Sequence, residues 1–187
     1  MVAVSPRICV FGLSGSGKST FAGLVEQFCA DEGLECQRVK LAEPLYRLQR
    51  AAYHVAGVQI GPEVQDQVLM RLLAEQLRRL NPRALADDFT RRIRTIGPGV
   101  AVVNDDLRDP HIDHPTVRAL GFTLVRLVCS PRNRRLRLAD RADLTIDTTE
   151  AAEAELDAIE PDLVVTNDGS LTDLQAEVET VMRRCLP

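Results

Sequence analysis

A run of glycine, serine and lysine near the amino end has the residue types and spacing of a phosphate-binding loop. Residues 12–19 read GLSGSGKS and match G-x-x-x-x-G-K-[ST] at every fixed position. The glycines let several backbone N–H groups point at one phosphate chain, and the following helix adds about half a positive charge at its N-terminus. The residues expected to bind a nucleoside triphosphate are Gly12, Ser14, Gly15, Ser16, Gly17, Lys18, Ser19 and Thr20.

Lys18 and Ser19 add chemistry to this loop. The ammonium group of Lys18 would reach the β- and γ-phosphates, and the hydroxyl of Ser19 would ligate Mg²⁺. A glycine-rich turn with a purely structural role has no use for lysine and serine in this order. We therefore expect ATP and Mg²⁺ as cofactors and Lys18 as a catalytic residue, although the sequence leaves GTP open as the donor.

Two carboxylates follow an apolar run at residues 100–103, which is typical of a strand buried in a parallel sheet. Ligands bind at the carboxyl ends of such strands. We assign Asp105 to the metal ion and Asp106 to the phosphoryl acceptor, and the sequence leaves the reverse assignment open. The alternative interpretation is a solvated acidic turn, because aspartate is common in turns.

Five arginines lie within the twelve residues 130–141. Mobile arginines that close over a moving phosphoryl group stabilise its charge and exclude water. We therefore predict a lid over about residues 130–142, with Arg132, Arg135 and Arg137 as catalytic phosphate ligands. The alternative is an exposed charged helix.

The elements that must position these residues alternate between strand and helix. Apolar runs and turn residues predict strands at about 7–11, 35–41, 100–103, 122–129 and 163–165. Helical periodicity predicts helices at about 43–55, 63–80, 81–96, 115–120 and 150–159, with one more at the carboxyl end. This alternation favours an α/β domain with a mainly parallel sheet. A chain of 187 residues is about one domain long.

Composition excludes several classes of protein. The 23 basic and 27 acidic residues give a formal charge of −4, so we expect no nucleic-acid partner. No apolar stretch approaches the roughly 18 residues of a membrane span, and the first residues lack a secretory signal, so we expect no membrane partner and a cytoplasmic location. The five cysteines show no C-x-x-C pair, which favours reduced thiols.

Several short motifs together resemble those of the deoxynucleoside monophosphate kinases of the P-loop kinase superfamily. They are residues 12–20, KLAEPL at 40–45, DLR at 106–108, ELD at 155–157, PD at 161–162 and NDGS at 167–170. The resemblance spans most of the chain, and only the first motif is stringent. It implies a five-stranded parallel sheet flanked by helices. The core would comprise residues 1–41 and 97–187, and helices at about 42–96 would bind the acceptor.

The same resemblance implies which residues bind the acceptor. Lys40 and Arg108 would contact its α-phosphate, and Glu43, Arg47 and Asp106 would complete the acceptor site. The implied activity is transfer of the γ-phosphoryl group of ATP to a nucleoside 5′-monophosphate, which gives the diphosphate. The acceptor phosphate is already an anion, so this reaction needs no general base. The sequence also allows a homodimer.

The chain departs from the family pattern near the expected reaction centre. Ser19 stands where the family often has aspartate, and residues 109–112 read DPHI where it often has FPNE. We therefore hypothesise that the acceptor is a modified or unusual nucleoside monophosphate.

Two other functions remain open from the sequence. The first is a kinase for a hydroxyl group of a coenzyme precursor or a sugar, in which Asp105 or Asp106 would take the hydroxyl proton. The second is a regulatory nucleotide-binding protein that hydrolyses its nucleotide slowly. Such a protein would need a water-orienting glutamine after the core strand, where this chain has Leu107, Arg108 and Asp109.

Overall fold

Five parallel strands form one sheet at the centre of the computed structural model, which describes residues 5–61, 64–139 and 150–186 apart from the side chains of 150–153. The strands lie in the order β2-β3-β1-β4-β5. They are β1 (Arg7–Phe11), β2 (Cys36–Arg38), β3 (Ala101–Asn104), β4 (Thr123–Val128) and β5 (Leu163–Thr166). The predicted five-stranded parallel sheet is confirmed.

Helices cover both faces of this sheet. They are α1 (Lys18–Asp31), α2 (Glu43–Val55), α3 (Gln67–Leu80), α4 (Ala84–Arg94), α5 (Asp113–Ala119), α6 (Pro131–Ala139), α7 (Glu150–Asp157) and α8 (Leu171–Cys185). None of the helices within the described ranges is long and apolar enough to cross a membrane. Part of the predicted lid, residues 140–142 with Arg141, lies outside the described residues.

Strand β1 shows how the sheet divides the core. Successive side chains of a strand point to opposite faces. Ile8 and Val10 pack in the cluster that holds the buried residues of α1 and α8. Cys9 and Phe11 pack in the cluster with buried residues of α4 and α5. All four side chains are fully buried. Strand β1 is the central strand of the sheet, and packing on both of its faces fixes the start of the loop that follows it.

The helices between β2 and β3 form a smaller core of their own. Leu45 and Tyr46 of α2, Met70 and Ala74 of α3 and Leu85 of α4 pack together. This group covers the region that we predict to bind the acceptor. The division of the chain into a core, an acceptor-binding region and a lid stays a prediction.

Two predicted helix starts are wrong by a few residues. Helix α3 begins at Gln67 rather than at 63, because Asp66 is its N-cap and accepts a hydrogen bond from Leu69 N–H at 3.1 Å. Helix α4 begins at Ala84 rather than just after residue 81. There the side chain of Asn81 accepts from Arg83 N–H at 3.0 Å and so forms a turn before the helix.

The second strand is also shorter than predicted, three residues instead of seven. Val39 N–H still donates to Val103 O at 2.9 Å. The N–H groups of Leu41 and Ala42 then turn to the carboxylate of Asp106, at 2.8 and 2.9 Å. The chain leaves the sheet at this point because these backbone N–H groups donate to Asp106, after the neighbouring strand β3, instead of to a strand.

Candidate functional site

The glycine-rich loop, residues 12–17, joins β1 to α1 in a conformation that needs glycine. Gly12 has φ +149° and Gly17 has φ +100°. A Cβ atom at Gly12 would lie 2.3 Å from Leu127 O, and one at Gly17 would lie 2.3 Å from Asn167 Nδ2. Backbone and side chains of the sheet edge therefore pack directly against the loop.

The start of α1 is open to an anion. Its N-cap, Gly17, has no side chain to accept a hydrogen bond, and its first turn carries no acidic residue. Lys18 is the first residue of the helix, and its Nζ donates to Leu13 O at 2.8 Å across the loop. The uncapped N–H groups and the ammonium group thus concentrate positive charge at one place.

A first cavity of about 670 Å³ lies over the glycine-rich loop and the carboxyl ends of the strands. Most of the predicted phosphate- and metal-binding residues line it: Ser14, Gly15, Gly17, Lys18, Ser19, Thr20, Lys40, Asp105, Asp106, Arg108 and Arg137. Gly12 does not line it, and Ser16 lies behind the loop with a side-chain hydroxyl that is buried and has no hydrogen-bond partner among the described residues.

The two adjacent aspartates have different environments. Asp106 accepts from Leu41 N–H, Ala42 N–H and Asn104 Nδ2, the last at 2.6 Å. Burial raises the pKa of its carboxyl and the charge of Asp105 raises it further, while the donors oppose the rise. Asp106 therefore ties β3 to the segment after β2.

Asp105, by contrast, is 4% exposed and little bonded. Its Oδ2 lies 3.6 Å from a nitrogen of Arg38, and its Oδ1 has no hydrogen-bond partner within the described part of the chain. Asp105 and Ser19 line the same cavity. Carboxylate and hydroxyl oxygens are the donors that Mg²⁺ prefers, so these residues fit that ion. Across residues 5–61, 64–139 and 150–186, no three His, Cys, Asp or Glu side chains form a metal-binding group by themselves.

A second cavity of about 490 Å³ adjoins the first and lies among α2, α3 and α4. Its apolar lining includes Leu45, Met70, Ala74 and Leu85. The residues that line both cavities are Tyr46, Gln65, Gln67, Asp106 and Arg108. The two cavities therefore meet at the carboxyl end of β3.

Most of the arginines around the second cavity are neutralised. Arg71 pairs with Glu75 at 2.8 Å. Arg78 pairs with Asp113 at 2.8 Å and with Asp109 at 3.4 Å. Burial raises the pKa of Asp113 to about 6, although the charge of Arg78 opposes this.

Arg108 differs from these arginines. It is exposed, and no described carboxylate lies within ion-pair distance of it. Lys40 lines the first cavity as well, with Nζ 4.9 Å from the ring centroid of Tyr46. Arg108 thus presents, where the two cavities meet, a positive charge that is available to an anion.

Of the predicted lid arginines, Arg137 reaches the loop. Its guanidinium donates to Ser16 O at 3.3 Å and to Asn167 O at 3.0 Å. Arg132 and Arg135 are exposed and line neither cavity, because they lie on the opposite side of α6 from Arg137. Their contact with phosphate stays a prediction.

Two predicted acceptor residues also lie apart from the cavities. Glu43 pairs with Arg50 at 3.6 Å, and Arg47 is exposed on α2. Neither lines the first or the second cavity. The buried face of α2 carries Leu45 and Tyr46, and Glu43 and Arg47 are not among its buried residues.

Sequence reasoning missed two groups of residues in the first cavity. Asn167 donates to Ser16 O at 2.8 Å, and Asp168 accepts from Ser130 N–H at 2.7 Å, so the turn after β5 holds both the loop and α6. Gly169, Ser170 and Leu171 continue the same wall. The NDG sequence signalled this turn without its contacts. The second group is Arg38, for which no motif gave a signal.

Comparisons with known proteins agree with this geometry at the level of the fold. No protein-family model matches the chain, and no curated protein matches its sequence. An APS kinase from Mycobacterium tuberculosis, in complex with AMPPNP and APS, matches with TM-score 0.56 and 20% identity over 97% of this chain and 99% of that one.

Two further solved structures match over similar lengths. Shikimate kinase from Acinetobacter baumannii, in complex with shikimate, has TM-score 0.55 and 12% identity over 97% of this chain and 95% of its own. A gluconokinase from Sinorhizobium meliloti has TM-score 0.51 and 16% identity over 97% and 94%. The chain therefore has the fold of P-loop kinases.

Proposed function

We propose that the protein is an ATP- and Mg²⁺-dependent kinase that transfers the γ-phosphoryl group to a nucleoside 5′-monophosphate. The observation that carries the proposal is the meeting of two cavities at Arg108. One cavity lies on a phosphate-binding loop, and the other has both apolar and charged lining residues and a volume suited to a nucleoside. The γ-phosphate of ATP and the phosphate of the acceptor would thus meet beside Arg108, which has no described ion-pair partner.

The donor side rests on the loop and on the fold. The uncapped start of α1 and Lys18 would bind the phosphates of ATP. Arg137 would add a positive charge beside the loop. The APS kinase with the same fold is seen in complex with the ATP analogue AMPPNP.

The residues that would hold the metal come from two elements, the start of α1 and the end of β3. Ser19 and Asp105 are the residues that would hold Mg²⁺, which would neutralise charge on the donor phosphates when bound. Lys18 would orient those phosphates from the other side.

The acceptor side needs positioning rather than proton removal. The acceptor phosphate is ionised at neutral pH, so Arg108 and Lys40 would bind and align it without a base. Tyr46, Gln67 and the apolar lining would hold the nucleoside. The second cavity also contains Asp109, one of the residues that depart from the family pattern, and this supports an unusual base as the acceptor.

A second candidate function is a kinase for a hydroxyl group. Asp105 favours it, because its Oδ1 has no described partner beside the first cavity and could accept a hydroxyl proton. APS kinase, shikimate kinase and gluconokinase share the fold. Because most charged side chains of the second cavity are paired with one another, this cavity suits an uncharged sugar as well as a nucleoside.

ADP release in the presence of defined acceptors separates these functions. The panel contains common and modified nucleoside monophosphates and, in parallel, sugars and other polyols. We expect acceptor-dependent ADP release with at least one monophosphate, and faster release with a modified one than with the common set. ADP release that depends on polyols alone would overturn the proposal, and release without any acceptor would favour a regulatory NTPase.

A further inference from the structure

Arg38 is a charged residue that the proposed chemistry has not used. It ends β2, lines the first cavity and belongs to none of the sequence motifs. Its side chain is only 24% exposed. A guanidinium presents several N–H donors in a fixed fork, so its partners indicate what it does.

Arg38 has a carboxylate on each side. From α1, Glu26 Oε2 lies 2.5 Å from one terminal nitrogen. From the end of β3, Asp105 Oδ2 lies 3.6 Å from the other. Arg38, at the end of β2, thus links Glu26 on α1 to Asp105 at the end of β3.

The two contacts differ in kind. The Glu26 contact is a hydrogen bond, whereas 3.6 Å is beyond hydrogen-bond distance, so Asp105 is held by charge alone. Arg38 therefore lies closer to Glu26 than to Asp105. One oxygen of Asp105 faces Arg38, and the other stays without a described partner.

We propose that Arg38 is a positioning residue that orients Asp105 for Mg²⁺, and that Glu26 fixes Arg38 for this task. The inference rests on the metal role of Asp105 in the proposed function. Partners of metal ligands typically change metal affinity by about 10- to 100-fold when they are removed. Arg38 is the one charged partner of Asp105 in the described structure.

The test measures nucleotide binding rather than turnover. Isothermal titration gives the Kd of AMPPNP with and without Mg²⁺, and their ratio is the gain in affinity due to the metal. We expect Arg38→Met to reduce this gain about tenfold and Arg38→Lys to recover most of it. Glu26→Gln should reduce it about threefold, because a weaker contact still holds the guanidinium.

Arg126→Met is the matched control. Arg126 also lies on a strand, is 28% exposed and pairs with Asp157, and neither residue lines the first or the second cavity. In Arg126→Met, the gain in AMPPNP affinity due to Mg²⁺ should equal that of the wild type. The inference would be overturned if Arg38→Met showed the same gain in affinity as the wild type. If that variant does not fold by circular dichroism, an unchanged gain in Glu26→Gln overturns it. A wild-type protein without any gain would instead contradict the metal role itself.

Discussion

The two cavities are built in different ways. The loop side of the first cavity is made largely of backbone, since the glycine-rich loop and the uncapped start of α1 come from adjacent residues and pack against the sheet. The second cavity is made of side chains from several separate elements, mainly α2, α3 and α4, and most of its charges are already paired. Under the proposed function, the fold would therefore set the binding of the polyphosphate, and a few side chains would set the choice of acceptor.

The largest expected effect tests the first cavity. Lys18→Ala removes the ammonium group from the loop, so kcat/KM for ATP should fall about 1,000-fold. Steady-state kinetics with saturating acceptor would measure it. Arg83→Met, an exposed residue of a surface ion pair outside both cavities, is the control. An unchanged rate in the lysine variant would break the contrast between the cavities.

The backbone origin of the first cavity can be tested without removing charge. In Gly12→Ala the new Cβ would lie 2.3 Å from Leu127 O, so the free energy of unfolding should fall by about 3 kcal/mol. Gly33→Ala is the control, because Gly33 has φ +68° but open space around it, and should cost about 1 kcal/mol. Equal costs in urea denaturation would show that packing against β4 is not the constraint.

The paired charges of the second cavity predict a pH effect. Burial raises the pKa of Asp113 to about 6 from 3.8, so the folded protein binds this proton more tightly than the unfolded chain. The free energy of unfolding should therefore fall as pH rises from about 4 to about 6, by about 3 kcal/mol for this group.

Asp113→Asn should remove that fall, because the amide does not titrate. Urea denaturation at several pH values would measure it, with the exposed Asp87→Asn as control. A steeper fall in the Asp113 variant than in the wild type would mean that Asp113 does not retain its proton on folding.

The junction should give a smaller and more selective effect. Arg108→Met removes the unpaired charge, so KM for the monophosphate should rise about 30-fold while Kd for AMPPNP changes less than about threefold. Kinetics and calorimetry on the same variant would separate the two. If the affinity for AMPPNP fell as much as KM rose, Arg108 would contribute to binding of the donor nucleotide and not selectively to binding of the acceptor.

Local sequence was enough for the parts of the site that are contiguous. The glycine-rich loop lies between β1 and α1 as predicted, since its glycines need positive φ and its flanks have clear periodicity. Strands β1, β3, β4 and β5 also lie within one residue of their predicted bounds, whereas β2 is shorter than predicted. These features depend on residues close together in the chain.

Contacts between distant residues were beyond the sequence. The environments of Asp105 and Asp106 differ because the N–H groups of Leu41 and Ala42, about 65 residues away, donate to Asp106. Arg137 reaches Ser16 because the phase of α6 turns it inward, and spacing alone did not distinguish it from Arg132 and Arg135. Arg38 was missed because its partners come from two other elements.

The nature of the product tests the central claim most directly. After incubation with ATP, Mg²⁺ and the best monophosphate of the panel, ³¹P NMR would distinguish a new phosphate–phosphate bond from a phosphate ester. We expect the singlet of the acceptor monophosphate to disappear and two molecules with coupled diphosphate doublets, ADP and the new diphosphate, to form for each ATP consumed. A single uncoupled resonance of a new phosphate monoester would contradict this claim.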